Sequence, residues 1–310
     1  PAWNLHPLMC EDLTLRKVLV RNPWYAQNGD GVDIESCKNV LVEDCTFDVG
    51  DDGICIKSGR DKAGRDRGMP TENVIIRRNV VYHAHGGFVI GSEMSGGARN
   101  IWVDDCSFIG TDIGLRFKTT RGRGGLVENI FINNINMVDI PGEAILFDMY
   151  YAAVDPVPLI GDKKEAVKVV TLPVTEETPR FQNFEIRNVQ VNGAEKGIFV
   201  RGLPEMHIKN ILIENAHISA RKGVELIEAS NIQLKNVLLS TTETNPLIRI
   251  ENSDNIRLEE LKQQTGTDVL LSIAGESSRN IELHGSQVEN VKQLSEFTHG
   301  ANRKALRIKK

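Results

Sequence analysis

A strand-like phrase, usually opened by asparagine, returns ten times along the 310 residues, from Asp12-Leu13-Thr14-Leu15 and Asn39-Val40-Leu41-Val42 to Asn255-Ile256-Arg257-Leu258 and Asn280-Ile281-Glu282-Leu283. Successive starts lie 27, 34, 27, 29, 54, 27, 21, 24 and 25 residues apart. Within each phrase apolar residues alternate with polar ones, the period of a strand with one buried and one wet face. A second phrase, opened by glycine, interleaves with the first: Gly31-Val32-Asp33-Ile34, Gly53-Ile54-Cys55-Ile56, Gly87-Phe88-Val89-Ile90, Gly114-Leu115-Arg116-Phe117, Gly197-Ile198-Phe199-Val200 and Gly223-Val224-Glu225-Leu226. Two or three short strands in each period are the pattern of a solenoid. Period-two alternation excludes helical repeats, and leucine is too sparse for leucine-rich ones.

The predicted fold is all-β: a right-handed parallel β-helix of about ten coils, forming a single domain over residues 1–310. The recurring asparagines would stack as a hydrogen-bonded ladder at one corner. The step of 54 reads as two periods, with a coil hidden around residues 142–170. Residues 60–72 and 151–178 read as insertions. From about Ser286 the pattern loosens into an irregular cap, which would shield the last coil from edge pairing.

A hydrophobic content of 40% suits a sizeable core. A net charge of −5 gives no nucleic-acid footprint, and no apolar run is long enough to span a membrane. The five cysteines (Cys10, Cys37, Cys45, Cys55 and Cys106) lack metal-binding spacing and read as buried free thiols.

Coils of such a helix stack one strand spacing apart, roughly 4.8 Å. Aligning Gly31, Gly53, Gly87 and Gly114 then sets Asp30 beside Asp52 on neighbouring rungs, and Asp51 beside His85 one position earlier. Arg116 and Lys118 point outward, away from Leu115 and Phe117. Three carboxylates, an imidazole and two cations thus converge on one patch. Paired aspartates repel each other and desolvate poorly, so a fold gains little by keeping Asp51 and Asp52 adjacent. Clustered acids raise at least one pKa, supplying a proton donor while another carboxylate activates water. Arg116 and Lys118 suit an anionic ligand, the arginine through bidentate pairing. Together they point to cleavage of a glycosidic bond in an acidic polysaccharide. Turn capping by Asp before Gly accounts for one such residue, but not for the pair in cationic surroundings.

Lys57 and Glu93 fall on or beside the same outward stripe and are further candidates. Trp24-Tyr25 reads either as a sugar-stacking platform or as loop packing, and Arg121-Gly122-Arg123 as a basic turn beside the cleft. His83 with His85 would make half of a metal site, but the third ligand is missing. No metal or cofactor is expected.

At these residues the chain resembles glycoside hydrolase family 28, the polygalacturonase family of parallel β-helix enzymes. Its four motifs, approximately Asn-Thr-Asp, Gly-Asp-Asp, Gly-His-Gly and Arg-Ile-Lys, stand here as Asn28-Gly29-Asp30, Gly50-Asp51-Asp52, Ala84-His85-Gly86 and Arg116-Phe117-Lys118. The opening Trp3-Asn4-Leu5-His6-Pro7 also looks like a segment of the family. The match is dense over residues 3–150 and only architectural beyond. Gly29, Ala84, Phe117, Gly53 and Cys55 depart from the usual residues without removing a catalytic group.

The resemblance implies hydrolysis of galacturonic-acid polymers with inversion. In it Asp51 is the general acid, Asp30 and Asp52 activate water, and His85 tunes the acid. Arg116 and Lys118 would grip a galacturonate carboxylate, and Tyr150 resembles a substrate-contacting tyrosine. The family carries further coils before the Trp-x-x-His-Pro segment, so the chain is expected to begin inside a longer protein. The expected partner is an acidic plant cell-wall polysaccharide, met by a secreted or periplasmic monomer. Rhamnogalacturonan and xylogalacturonan are alternative substrates; a calcium-dependent pectate lyase or a non-catalytic polysaccharide-binding solenoid are alternative functions.

Overall fold

The computed structural model describes residues 3–151, 170–264 and 266–309. Twenty-three strands among them join in one continuous ladder, and every pairing between these strands is parallel. The chain winds as a right-handed parallel β-helix. One face stacks Val32–Glu35, Ile54–Lys57, Phe88–Ile90 and Leu115–Lys118, and continues through the last residues of the long strands Leu126–Asp148 and Arg180–Arg201. Val32 pairs with Ile54, Ile54 with Phe88, Phe88 with Leu115 and Leu115 with Ile145, all fully buried.

Each asparagine opening the first phrase, from Asn39 to Asn280, has a left-handed backbone with φ between 52° and 60°. Asparagine tolerates that region better than other non-glycine residues. Its amide then reaches the same residue one coil earlier: Asn73 Nδ2 donates to Asn39 Oδ1 at 3.2 Å, Asn100 to Asn73 at 3.3 Å and Asn231 to Asn210 at 2.8 Å. The run breaks at Asn255, whose amide donates to Asp254 instead. A second, shorter ladder holds another corner, with Asn188 on Asn133, Asn215 on Asn188 and Asn236 on Asn215.

The core is mainly aliphatic, with one cluster of aromatic rings in its middle. There Phe88, Phe117, Phe147, Phe181 and Phe184 pile up, with Phe117 and Phe147 centroids 4.5 Å apart. Glycine opens the phrase because the corner has no room. A Cβ on Gly87 would lie 2.3 Å from the buried Phe108 ring. All five cysteines are free thiols.

Two readings of the sequence need correcting, the hidden coil and the irregular tail. The step of 54 holds no hidden coil, because Leu126–Asp148 pairs directly with Arg180–Arg201 and Asn183 donates to Asn129. Residues 149–179 connect these two strands, and 152–169 of them lie outside the described residues. Residues 60–72, read as an insertion, hold a short helix α1 (Asp61–Arg67) that ends at Gly68, and Thr71 already begins the next strand. The tail is more regular than a cap, since Val291–Thr298 and Leu306–Lys309 extend the ladder.

Gly87→Ala should destabilise the fold by about 1–3 kcal/mol through overpacking against Phe108. The check is urea unfolding, where the midpoint should fall at constant slope; an unchanged midpoint would reject the corner argument.

Candidate active site

Backbone register assembles the site at the leading edge of the glycine-opened face. Gly31 N donates to the Asp52 carbonyl at 2.9 Å, and His85 N to the Asp51 carbonyl at 2.9 Å. Asp30 and Asp52 are therefore rung neighbours, as are Asp51 and His85. One carboxylate oxygen from each of Asp30, Asp51 and Asp52 lies within 4.8 Å of the others. Asp51 accepts from the amides of Asp52 at 2.8 Å and Asn28 at 3.2 Å, and His85 Nδ1 stands 3.1 Å from its Oδ1. Arg116 Nη1 and Lys118 Nζ both donate to Asp52, at 3.1 and 2.7 Å.

Arg116 reaches Asp52 across two coils, and the residue between them is Gly86. A Cβ there would sit 3.3 Å from the Arg116 side chain and 2.5 Å from Val89. A bare backbone at that rung gives the guanidinium its path.

Asp30 and Asp51 differ in ionisation because their surroundings differ. Burial, reinforced by Asp52, pushes Asp30 up to about 6 against the pull of Lys57. Asp51 is also desolvated, but the His85 hydrogen bond and charge, with help from Lys118, bring it down to about 2. The same hydrogen bond raises His85 above its ordinary value. The proton of the Asp51–His85 pair thus rests on the ring. Donor atoms of Asp30, Asp51 and Asp52, or of Asp30, Asp33 and Cys55, are close enough to share an ion. The positive charge such clusters attract is already supplied by Lys57, Arg116 and Lys118.

Lys57 and Tyr150, also candidates for substrate contact, are engaged by other protein groups. Lys57 is buried, bonded to Glu93 at 3.0 Å and lying 3.6 Å from Asp33 beneath the Trp3 ring. It belongs to the floor, because the outward face is roofed at this point. Tyr150 is likewise buried, between the Arg121 and Arg201 guanidinium groups. The adjacent Tyr151 faces the site, with Lys118 Nζ 5.0 Å and Arg116 Cζ 5.8 Å from its ring centroid. Sequence reading missed Tyr151, which follows the strand's end where alternation gives no signal. It also passed over Asp33 and Cys55, which share the Arg116 stripe two residues past each glycine. His83 turns away to Asp48, and Trp24 and Tyr25 project into solvent.

Helix α1 stands over the far ends of the same strands. Arg67 donates to Glu35 at 2.7 Å, Arg65 to the Gly122 carbonyl at 2.7 Å, and Arg123 pairs with Asp61. Arg121 and Arg123 are thus tied into a wall, the former by Glu205 at 2.6 Å. Acids line one edge of the sheet, and this wall stands along the other.

The profile described as "Glycosyl hydrolases family 28" matches residues 3–178, more than half of the chain. The chain belongs to this family. A "Probable polygalacturonase" of Vitis vinifera is 36% identical over 44% of this chain and 28% of its own length. An "Exo-poly-alpha-D-galacturonosidase" of Dickeya chrysanthemi is 25% identical over 72% of this chain and 36% of its own. The crystal structure of an exopolygalacturonase from Thermotoga maritima superposes with a TM-score of 0.67 and 34% identity, over 77% of this chain and 49% of that one. The chain spans about a third of the length of the curated relatives it matches. No helix among the described residues is long and apolar enough to cross a membrane.

The family 28 site makes a prediction about linkage. His85 gains its raised pKa only from the fold, so its stabilising contribution is complete below about 6.5 and fades as pH rises through the folded value. Asp51, depressed to about 2, contributes above its ordinary carboxylate range and loses this as pH falls toward that value. An NMR titration of the His85 ring should give a pKa above the ordinary 6.5 that falls back in Asp51→Asn. Equal values in the two proteins would break the pair.

Proposed function

We propose that this chain carries the active centre of a hydrolase that cleaves galacturonic-acid-containing polysaccharide, pectin or polygalacturonan, by single displacement with inversion. One observation carries the reading: three carboxylates within 4.8 Å of one another, one held by an imidazole and another by an arginine and a lysine. A uronic-acid polymer supplies the carboxylate that such cations bind and the glycosidic oxygen that needs a proton.

In this reading Asp51 protonates the leaving oxygen. Its own acidity is too high to hold a proton at rest, so His85 stores it and returns it through their hydrogen bond as negative charge develops on the oxygen. Asp30 and Asp52 orient and deprotonate the attacking water. Arg116 and Lys118 bind the sugar carboxylate by sharing their grip on Asp52. Arg116 Nε, buried and unpartnered among the described residues, is a further donor on that guanidinium. Tyr151 takes the contact that sequence reading gave to Tyr150.

The acids stand closer than the usual inverting pair, whose carboxyls are about 6.5–9.5 Å apart, and nearer the retaining spacing. Inversion is therefore taken from family membership. The products decide it: an α-linked substrate should release the β-anomer first, seen by proton NMR, and an α-anomer would reject single displacement. Exo action is supported by the wall of α1 and residues 119–125, and by the names of the Dickeya chrysanthemi and Thermotoga maritima relatives. Slow loss of viscosity relative to new reducing ends is expected; a rapid drop would assign endo action. We place the enzyme outside the cytoplasm, secreted or periplasmic and monomeric, where polymeric pectin lies.

Asp51→Asn should lower kcat on polygalacturonan by about 10²–10⁴-fold while polymer binding persists. Unchanged turnover would leave only a binding solenoid, and an ultraviolet-absorbing alkene product that needs calcium would indicate a lyase. Activity should fall at high pH as the Asp51–His85 pair loses its proton, above the ordinary histidine range. It should fall at low pH as Asp30 protonates near 6.

A further inference from the structure

Asp33 takes no part in the chemistry above, yet it lies at the centre of the charges. It is fully buried on the strand Val32–Glu35, one position short of the core residue Ile34. No donor among the described residues bonds either of its carboxyl oxygens, and the hydrogen-bonding neighbour it does meet is another acid, Asp30. The nearest cation, Lys57 Nζ, is 3.6 Å away and already bonded to Glu93 at 3.0 Å. The other titratable groups around it are Asp30, Asp52 and Cys55; one oxygen of Asp33, one of Asp30 and the Cys55 sulfur lie within 4.8 Å of one another. The Cys55 thiol is also fully buried and kept protonated by that burial. An ionised carboxylate here would lack a donor, share its only cation and face two further acids. Burying a charge under such conditions costs far more than burying a neutral acid.

We propose that Asp33 is a positioning residue that keeps a proton throughout turnover and turns it toward Asp30, holding that carboxylate in its ionised, water-orienting form. Burial, the largest influence, together with Asp30 and Asp52, pushes Asp33 up to about 9 despite Lys57. The neutral acid is then the resident form wherever the proposed hydrolase works. A carboxylic acid kept neutral by its site can donate a hydrogen bond that an ionised one cannot. Asp30 needs such a donor, because burial and Asp52 both oppose its charge. The inference rests on the hydrolase reading for its kinetic consequence, though not for the protonation itself.

Two variants separate a neutral donor from a structural anion. Asparagine at position 33 keeps shape and an N–H donor, whereas valine keeps volume and loses the donor. Asp33→Asn should retain kcat/KM on polygalacturonan within about threefold, with the acid limb of its pH profile in place. Asp33→Val should move that limb upward by about one pH unit. Equal damage in both variants, with neither limb displaced, would mean that the ionised carboxylate is what the site needs, and would overturn the proposal.

A second readout is independent of activity. A group protonated when folded and ionised when unfolded loses stabilising power as pH rises between its two pKa values. Thermal unfolding should therefore show the unsubstituted protein losing ground to Asp33→Asn between pH 5 and pH 8. The opposite trend would show an anion paired with Lys57. Should neither variant fold, difference infrared spectra of the unsubstituted protein decide: a protonated carboxyl band persisting at pH 8 is expected, and its absence is contrary. If the unsubstituted protein fails to hydrolyse any uronic-acid polymer, the hydrolase reading fails while the thermal and infrared results still decide whether Asp33 holds its proton.

Discussion

Parallel backbone pairing between successive coils, one strand spacing per turn, fixes every other feature of this protein. It leaves no freedom in how residues far apart in sequence meet. Once Gly31 donates to the Asp52 carbonyl and His85 to the Asp51 carbonyl, the acids and the ring have one possible arrangement. The ladder of left-handed asparagines and the crowded glycine corners protect that register, since a slip of one residue would turn the aspartates inward and their apolar neighbours out. A rigid stack of rungs is a sound base for chemistry, because catalytic groups must be held to a fraction of an ångström.

Upon this frame the ionisation states are set by what each acid touches. Asp51 has amides and an imidazole, and is a stronger acid than Asp30, which has burial and other carboxylates. Asp52 stands between an arginine and a lysine. The adjacent Asp51 and Asp52 therefore meet opposite surroundings without any difference in side-chain chemistry. In the proposed reaction the proton that leaves with the product would be kept on His85 between turnovers, while Arg116 and Lys118 hold Asp52.

Much of this was legible from spacing. The glycine-opened phrases carry their own register, so Asp30 beside Asp52 and Asp51 beside His85 follow from alignment alone, and Arg116 and Lys118 from counting two and four residues past Gly114. What stayed hidden has physical reasons. Length does not tell a coil from an excursion, so the step from Asn129 to Asn183 looked like two turns until their amides were seen to pair directly. Alternation tells inward from outward, but not wet from roofed. Lys57 points outward and is still buried, because Glu93 and Trp3 close over it. Tyr150 and Tyr151 lie just past a strand, where the pattern has stopped. Asp33 was readable, standing at the Arg116 position of its own rung, but it lies outside the resemblance's four motifs.

The most direct test is a crystal structure of the Asp51→Asn variant with an uncleaved galacturonate oligomer. The scissile oxygen should lie within hydrogen-bond reach of the amide at position 51, with the neighbouring sugar's carboxylate on Arg116 and Lys118 and a water between Asp30 and Asp52. An oligomer bound along another face of the solenoid, or one whose carboxylates avoid both cations, would contradict the account.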